Sequence, residues 1–475
     1  MRNQKTIAQF DKLELSQNLS VRYTKRVHIL GYFTRPGNGS ILPAAFTAIL
    51  FLSGSVFYSV PLISNWSLFY LFGAVPWVWL FGFLGYRWSN RNFPRSREQR
   101  FVVPNRSRLN SIALKFAFLN VATSIFFFMD KQQNGFTTLF GDMATLRDVT
   151  FEMQTVSVFS YFCNLTIPFT LFSFIIGILF YEELSSAIRI FSLGSSLINV
   201  IGITVLQAGR IYMITFALTF IWFAFQRRWY GKPMIPSSFI LKVCLVLGIC
   251  GLLAYIPLIS VARSSKENQV EASLAAMSPL VTPSNTTLEF IEFTGPIIGV
   301  ATVELFTYWT SSVVAFDRAF NFYSMPPSYC GGIFPMIERR LASIGLVPDP
   351  SEQIRQWVEI AEYSGFYSNM WTTTAFDIIK GFGRSFGLVV LGLMAFWSSW
   401  AYGISIRTGS LPLMIFGFLG WLYFFTWFQR SIFIDPIYEY SLYWLLLYCA
   451  FQLLDRGRAP ASVRDTKWQT KWARF

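Results

Sequence analysis

The sequence predicts an all-α integral membrane protein with about ten transmembrane helices, both termini on the cytoplasmic side and one large loop on the opposite face. Three observations predict it. Hydrophobic residues make up 53% of the 475, against 13% charged, and mean hydropathy is +0.44. A soluble chain of this length could not cover so much apolar surface with so few charges. The apolar residues fall in runs near the roughly 20 needed to cross a bilayer. The basic residues gather in the segments that such runs would leave on one side.

The expected spans are Ile41–Ile63, Trp66–Tyr86, Ile112–Met129, Val156–Tyr181, Ile190–Leu206, Ile211–Phe225, Phe239–Ser260, Phe386–Gly403, Leu411–Phe428 and Ile432–Leu454. They are expected as helices because backbone in lipid must satisfy its own hydrogen bonds, and no period-two alternation suggests a barrel.

Charge sets the orientation. Residues 1–40 carry seven basic side chains (Arg2, Lys5, Lys12, Arg22, Lys25, Arg26, Arg35) against Asp11 and Glu14. The second loop carries Arg87, Arg91, Arg95, Arg97, Arg100, Arg106 and Arg108 against Glu98. Arg227, Arg228 and Lys232 follow the sixth span, Arg407 the eighth, and six basic residues follow Leu454. Ten helices with cytoplasmic ends put all of these on one face, and leave the acid-rich Asp130–Thr155 loop on the other. Glu182, Glu183 and Arg189 stay ambiguous. The net charge of +14 is then mostly positive-inside bias, not a nucleic-acid footprint. The chain divides into a basic tail (1–40), a seven-helix part (41–260), a large outer loop (261–384), a three-helix part (385–454) and a second basic tail (455–475).

The first forty residues are too polar for a cleavable signal peptide. Of five cysteines, Cys330 alone falls in the outer loop, so no intramolecular disulfide is expected there, and no spacing suggests a metal. Within the loop, Thr294–Phe316 is apolar enough to be mistaken for a span. Spanning would move the basic C-terminal tail outside, so it is expected to lie in or on the outer membrane face, partly re-entrant. Pro283, Pro296, Pro326, Pro327, Pro335, Pro348 and Pro350 punctuate short helices around it. No repeat of the span pattern is visible, which favours an enzyme with an external active site over an alternating-access transporter.

Gln207-Ala208-Gly209-Arg210 joins two short spans at the outer face. An arginine there is costly unless it meets water or an anion, and its forked donors match phosphate oxygens. The alternative is an arginine snorkelling to the interface. Arg263 lies near the same plane, against the positive-inside bias. Arg339 and Arg340 open an amphipathic stretch and read equally as ligand contacts or a solvated face. The only histidine, His28, is in the N-terminal tail, so an outer general base must be a carboxylate, or the substrate must do without one. The candidates are Glu289, Glu292, Glu304, Asp317, Glu338 and Asp377, with Asp435 and Glu439 near the last span and Arg430 available to pair with one of them. No Asp-x-Asp pair, P-loop or Gly-x-Ser-x-Gly elbow occurs in the loop. Its many aromatics, among them Tyr308, Trp309, Phe322, Tyr323, Tyr329, Tyr363 and Trp371, read mostly as interfacial anchors.

The order of several segments resembles the Wzy-type oligosaccharide repeat-unit polymerases of bacterial surface polysaccharide pathways. These are the Gly209-Arg210 turn, Phe293-Thr294-Gly295-Pro296-Ile297, Phe316-Asp317, and the run Tyr329-Cys330-Gly331-Gly332-Ile333-Phe334-Pro335-Met336-Ile337-Glu338-Arg339-Arg340. Last comes Trp371-Thr372-Thr373-Thr374-Ala375-Phe376 before Gly381-Phe382-Gly383. Gly381 stands where the family often has an aspartate, leaving Asp377 as the nearest substitute. The resemblance covers roughly residues 200–400.

It implies a GT-C-like glycosyltransferase in the bacterial inner membrane with its active site facing the periplasm. Donor and acceptor would be undecaprenyl-pyrophosphate-linked glycans, with a chain-length regulator as a partner, and no cofactor, metal or nucleic acid. The departing pyrophosphate needs positive charge, for which Arg210, Arg263 and Arg339 or Arg340 are the candidates; Asp317 and Asp377 are the carboxylates carried with them. The rival readings are an O-antigen ligase, whose family typically carries a loop histidine, and a lipid-linked oligosaccharide flippase.

Overall fold

The computed structural model describes residues 32–59, 63–92, 105–133, 157–206, 211–238, 282–329, 333–347, 349–364 and 373–457, with 242, 248 and 251 besides. The regular elements of the described chain are helices, apart from one antiparallel pair of two-residue strands, β1 (Tyr58–Ser59) with β2 (Thr282–Pro283). In order the helices are α1 (Ile41–Phe57), α2 (Asn65–Asn92), α3 (Arg106–Gln133), α4 (Val158–Thr166), α5 (Pro168–Leu179), α6 (Ser186–Leu206) and α7 (Ile211–Gln226). Then follow α8 (Asn285–Thr294), α9 (Pro296–Phe322), α10 (Pro335–Ser343), α11 (Pro350–Ser364), α12 (Thr374–Phe382), α13 (Arg384–Thr408), α14 (Leu411–Phe425) and α15 (Pro436–Gly457).

Five helical stretches are long and apolar enough to cross a membrane: α2, α3, α4 with α5 (Val158–Leu179), α6 and α13. The protein is a helical membrane protein. The seventh expected span, Phe239–Ser260, lies outside the described residues apart from 242, 248 and 251.

Several boundaries differ from the sequence expectation for local reasons. The expected span Val156–Tyr181 is two helices, because Pro168 lacks the N–H and crowds the preceding turn. The Thr166 hydroxyl donates to the carbonyls of Phe162 (2.9 Å) and Cys163 (3.2 Å) in the turn before the break. The helix expected to run to Ile63 ends at Phe57, and the one expected from Ile432 begins at Pro436 after a 3-10 turn, Ile432–Ile434. The α2 and α13 helices overrun their apolar segments at the polar ends, since arginines there can extend to water.

Residues 34–40, grouped by charge with the tail, are instead largely buried. A 3-10 turn at Pro36–Asn38 wedges among α2, α7, α13 and α14. The Thr34 hydroxyl meets Tyr402 (2.8 Å), Trp222 donates to the Thr34 carbonyl (3.1 Å), and Gly37 N–H donates to Ser399 (3.1 Å). Arg35 stacks on Tyr86 at 4.0 Å.

The α2 and α13 helices run parallel in close contact. A Cβ at Gly85 would run into the Phe396 carbonyl and one at Gly403 into Ser89, the small-residue approach that membrane helices use. At the end where Arg87, Arg91 and Arg407 lie, Arg407 donates to Ser89 (3.2 Å). This is the basic end; the loop helices α8–α12 occupy the other. The acids Glu182 and Glu183, ambiguous by sequence, pair with Arg227 and Lys232 after α7. The C-terminal ends of α5 and α7 therefore share one face.

A buried polar network ties the middles of α3 and α6 to the start of α5. Asn120 donates to Ser195 (2.9 Å) and Ser196 (3.2 Å) and accepts from Thr170 (2.6 Å); Asn199 donates to the Asn120 carbonyl (2.9 Å) and to Thr170 (3.1 Å). Such bonds in lipid contribute about 1–2 kcal/mol at most. Asn120→Leu, which leaves Asn199 and Thr170 without this partner, is expected to lower the thermal midpoint in detergent by a few degrees. An unchanged midpoint would show that the network adds nothing to stability.

Candidate functional site

The loop helices are started by prolines and hinged by glycines. Pro296, Pro335 and Pro350 each take the first helical position, where a missing N–H costs nothing. Gly295 (φ 82°) turns α8 into α9, and Gly383 (φ 74°) turns α12 into α13; both conformations are strained for a residue with a Cβ. The α9 helix then lies along α1, with Trp309 donating to Thr47 and packed edge-on to Phe46.

Asp317, near the end of α9, is committed to that architecture. One carboxylate oxygen accepts from the Ser64 N–H (2.9 Å), the Ser67 hydroxyl (2.5 Å) and Asn321 (3.0 Å). Ser64 and Ser67 sit at the start of α2, so Asp317 binds orphan donors at a positive helix end. It is a tether between the loop and the bundle.

Asp377 has a different setting. It lies on α12, which is clamped to the turn after α14: Thr374 N–H donates to the Gln429 carbonyl, and its hydroxyl to those of Thr426 (2.8 Å) and Gln429 (3.0 Å). Asp377 is 5% exposed, and its Oδ2 has no hydrogen-bond partner. Burial pushes its carboxyl up to about 7. Lys380, a hydrogen bond from the Ser431 N–H and Arg430 oppose the shift, and Glu338 adds to it. An unpartnered buried acceptor costs roughly 1–3 kcal/mol, so a fold that keeps one has a use for it or a partner to supply.

Glu338 on α10 and Arg430 in the turn lie within electrostatic reach of Asp377, and further contacts link these to α15 and α7. From α10, Glu338 is buried with Oε1 unpartnered, while Arg339 and Arg340 are exposed. From the turn, Arg430 donates to Asp435 at 2.8 Å. From α15, Glu439 is buried and accepts from the Tyr443 hydroxyl (2.5 Å), and Tyr440 lies within electrostatic reach of Arg340 and Arg339. From α7, Tyr212 hydrogen-bonds Asp435.

Of the residues singled out by sequence, the structure thus places Asp377 within electrostatic reach of Glu338 and Arg430, pairs Arg430 with Asp435, and sets Arg339 and Arg340 within reach of α15 at Tyr440, next to Glu439. Glu289 and Glu292 are exposed on α8. Arg210 and Arg263 lie outside the described residues, as do Cys330-Gly331-Gly332 and Trp371-Thr372; Arg210 precedes α7 by one residue, and Tyr212 is its second neighbour. Sequence reasoning did not single out Lys380, Tyr212 or Tyr443. Lys380 and Tyr443 stand three and four positions beyond Asp377 and Glu439, the spacing that shares a helix face. Among the described residues, no three His, Cys, Asp or Glu side chains group to hold a metal ion.

Tyr329, just before Cys330, has φ 61° and is 66% exposed. A left-handed backbone at a non-glycine costs about 1–3 kcal/mol.

In comparison with known proteins, no family model, no curated protein and no solved structure matches this chain.

Proposed function

We propose that the protein polymerises polyprenyl-pyrophosphate-linked oligosaccharide repeat units at the periplasmic face of a bacterial inner membrane. The observation that carries the reading is Asp377: a buried carboxyl poised near neutrality, one oxygen unpartnered, with Lys380 and Arg430 within electrostatic reach and no histidine in the loop. A general base works best when its pKa lies near the working pH.

In this reading the acceptor's sugar hydroxyl attacks the donor's anomeric carbon as its proton passes to Asp377 Oδ2. The bond from the anomeric carbon to the pyrophosphate oxygen breaks, and the electron pair leaves with polyprenyl pyrophosphate. Arg339 and Arg340 on α10, with Arg210 and Arg263 as sequence candidates, supply charge to the departing pyrophosphate. The ten-span topology with cytoplasmic termini belongs to the same proposal. It is supported by the parallel run of α2 and α13 and by the shared face of Glu182, Glu183, Arg227 and Lys232. The lie of α9 along α1 supports a partly re-entrant loop helix.

The test is a gene deletion in the native host, with surface glycan resolved on a gel. A surviving single repeat on the surface acceptor, with the long ladder gone, is the expected result. Loss of even the single repeat, with lipid-linked glycan accumulating, would replace the reading by a ligase or flippase. An unchanged ladder would overturn it.

A further inference from the structure

Tyr329 is the sole non-glycine residue among those described with a positive φ. Strained residues of this kind persist only where the surrounding fold holds them, and they gather at functional sites. The restraint here lies on the N-terminal side. Ser328 is buried, and its N–H donates to the Lys380 carbonyl at 3.2 Å. Pro327 lies over Gly383, at the end of the same helix. The segment that carries Tyr329 is thus pinned to α12, one turn beyond Asp377.

Among the described residues, ring stacking does not account for the strain. The ring is 66% exposed and stacks on no other aromatic among the described residues. A tyrosine that only filled a turn would be replaced without loss by glycine, which adopts this backbone freely. A held, exposed ring offers an electron-rich face and little rotamer entropy to lose, and the axial C–H face of a pyranose is complementary to it.

We infer that Tyr329 is a carbohydrate-stacking residue, holding a sugar ring of a lipid-linked glycan beside Asp377. The inference rests on the polymerase reading for its substrate class, but not for the binding itself.

Two variants test it in the full-length protein. Tyr329→Gly is expected to keep the thermal midpoint, or raise it, while cutting polymer output about tenfold or more, the equivalent of one lost ring contact. Tyr329→Trp keeps an aromatic face at this position and serves as the probe. In nanodiscs its added fluorescence, taken against the wild type, should be quenched by the oligosaccharide released from the host's lipid-linked repeat units with mild acid. A full ladder from Tyr329→Gly would overturn the inference. So would a midpoint that falls together with output, which would make the ring a packing element. Quenching of Tyr329→Trp by brominated lipid and not by oligosaccharide would also overturn it, making the ring a membrane anchor. Because oligosaccharide binding needs no chemistry, quenching that persists while deletion of the gene leaves the ladder unchanged would remove the polymerase reading and leave the stacking site standing.

Discussion

Asp377→Asn is expected to reduce polymer formation at least about a hundredfold, the scale of a lost general base, with the protein still folded. Asparagine keeps the shape of the side chain and can still accept from the Ser431 N–H, but it cannot take a proton. In wild type, activity should rise with pH through about 7 as the carboxyl ionises, and the residual activity of the variant should lack that limb. Stability should move in the opposite sense. The folded-state value is raised above the ordinary 3.8, so the folded state holds a proton that the unfolded chain releases. That advantage is complete below about 4 and is lost as pH rises through about 7. The thermal midpoint of wild type should therefore fall relative to Asp377→Asn across this window. A full-length ladder from Asp377→Asn would show that Asp377 is not the base.

Arg227→Met is expected to destabilise the protein by about 2–4 kcal/mol, read as a lowered thermal midpoint and loss of monodisperse protein in detergent. The side chain is 0% exposed. Its guanidinium donates to the Ile178 and Leu179 carbonyls at the end of α5, to the Pro233 carbonyl (2.8 Å) and to Glu182. The carbonyls carry most of the effect, because Glu182 is 42% exposed and can return to water. The double variant Arg227→Met with Glu182→Gln should accordingly recover little. Full recovery would mean that the ion pair, and not the helix end, is what Arg227 supports.

The same division runs through the molecule. The apolar runs, read against the length needed to cross a bilayer, were enough to identify a helical membrane protein, because hydropathy is a local property summed along the chain. Proline was legible too. Pro296, Pro335 and Pro350 start helices, because proline acts on its own backbone; the turns at Gly295 and Gly383 came only with the structure. The break at Pro168 was hidden inside a uniformly apolar run, where hydropathy has no contrast. The burial of residues 34–40 was hidden by the charge on either side of them.

The candidate site divides in a similar way. Sequence alone limited the outer acids and bases to a short set that included Asp377, Arg339 and Arg340, because it held no histidine there. It could not separate Asp317 from Asp377: both are acids on largely apolar helices. Only the tertiary structure separated them, by giving Asp317 the orphan donors at the start of α2 and leaving an oxygen of Asp377 without a partner. Which carboxylate is satisfied depends on backbone and hydroxyl groups brought from distant parts of the chain, such as Ser64 beside Asp317 and Ser431 beside Asp377. Their arrival is set by packing and leaves no mark near either aspartate in the sequence.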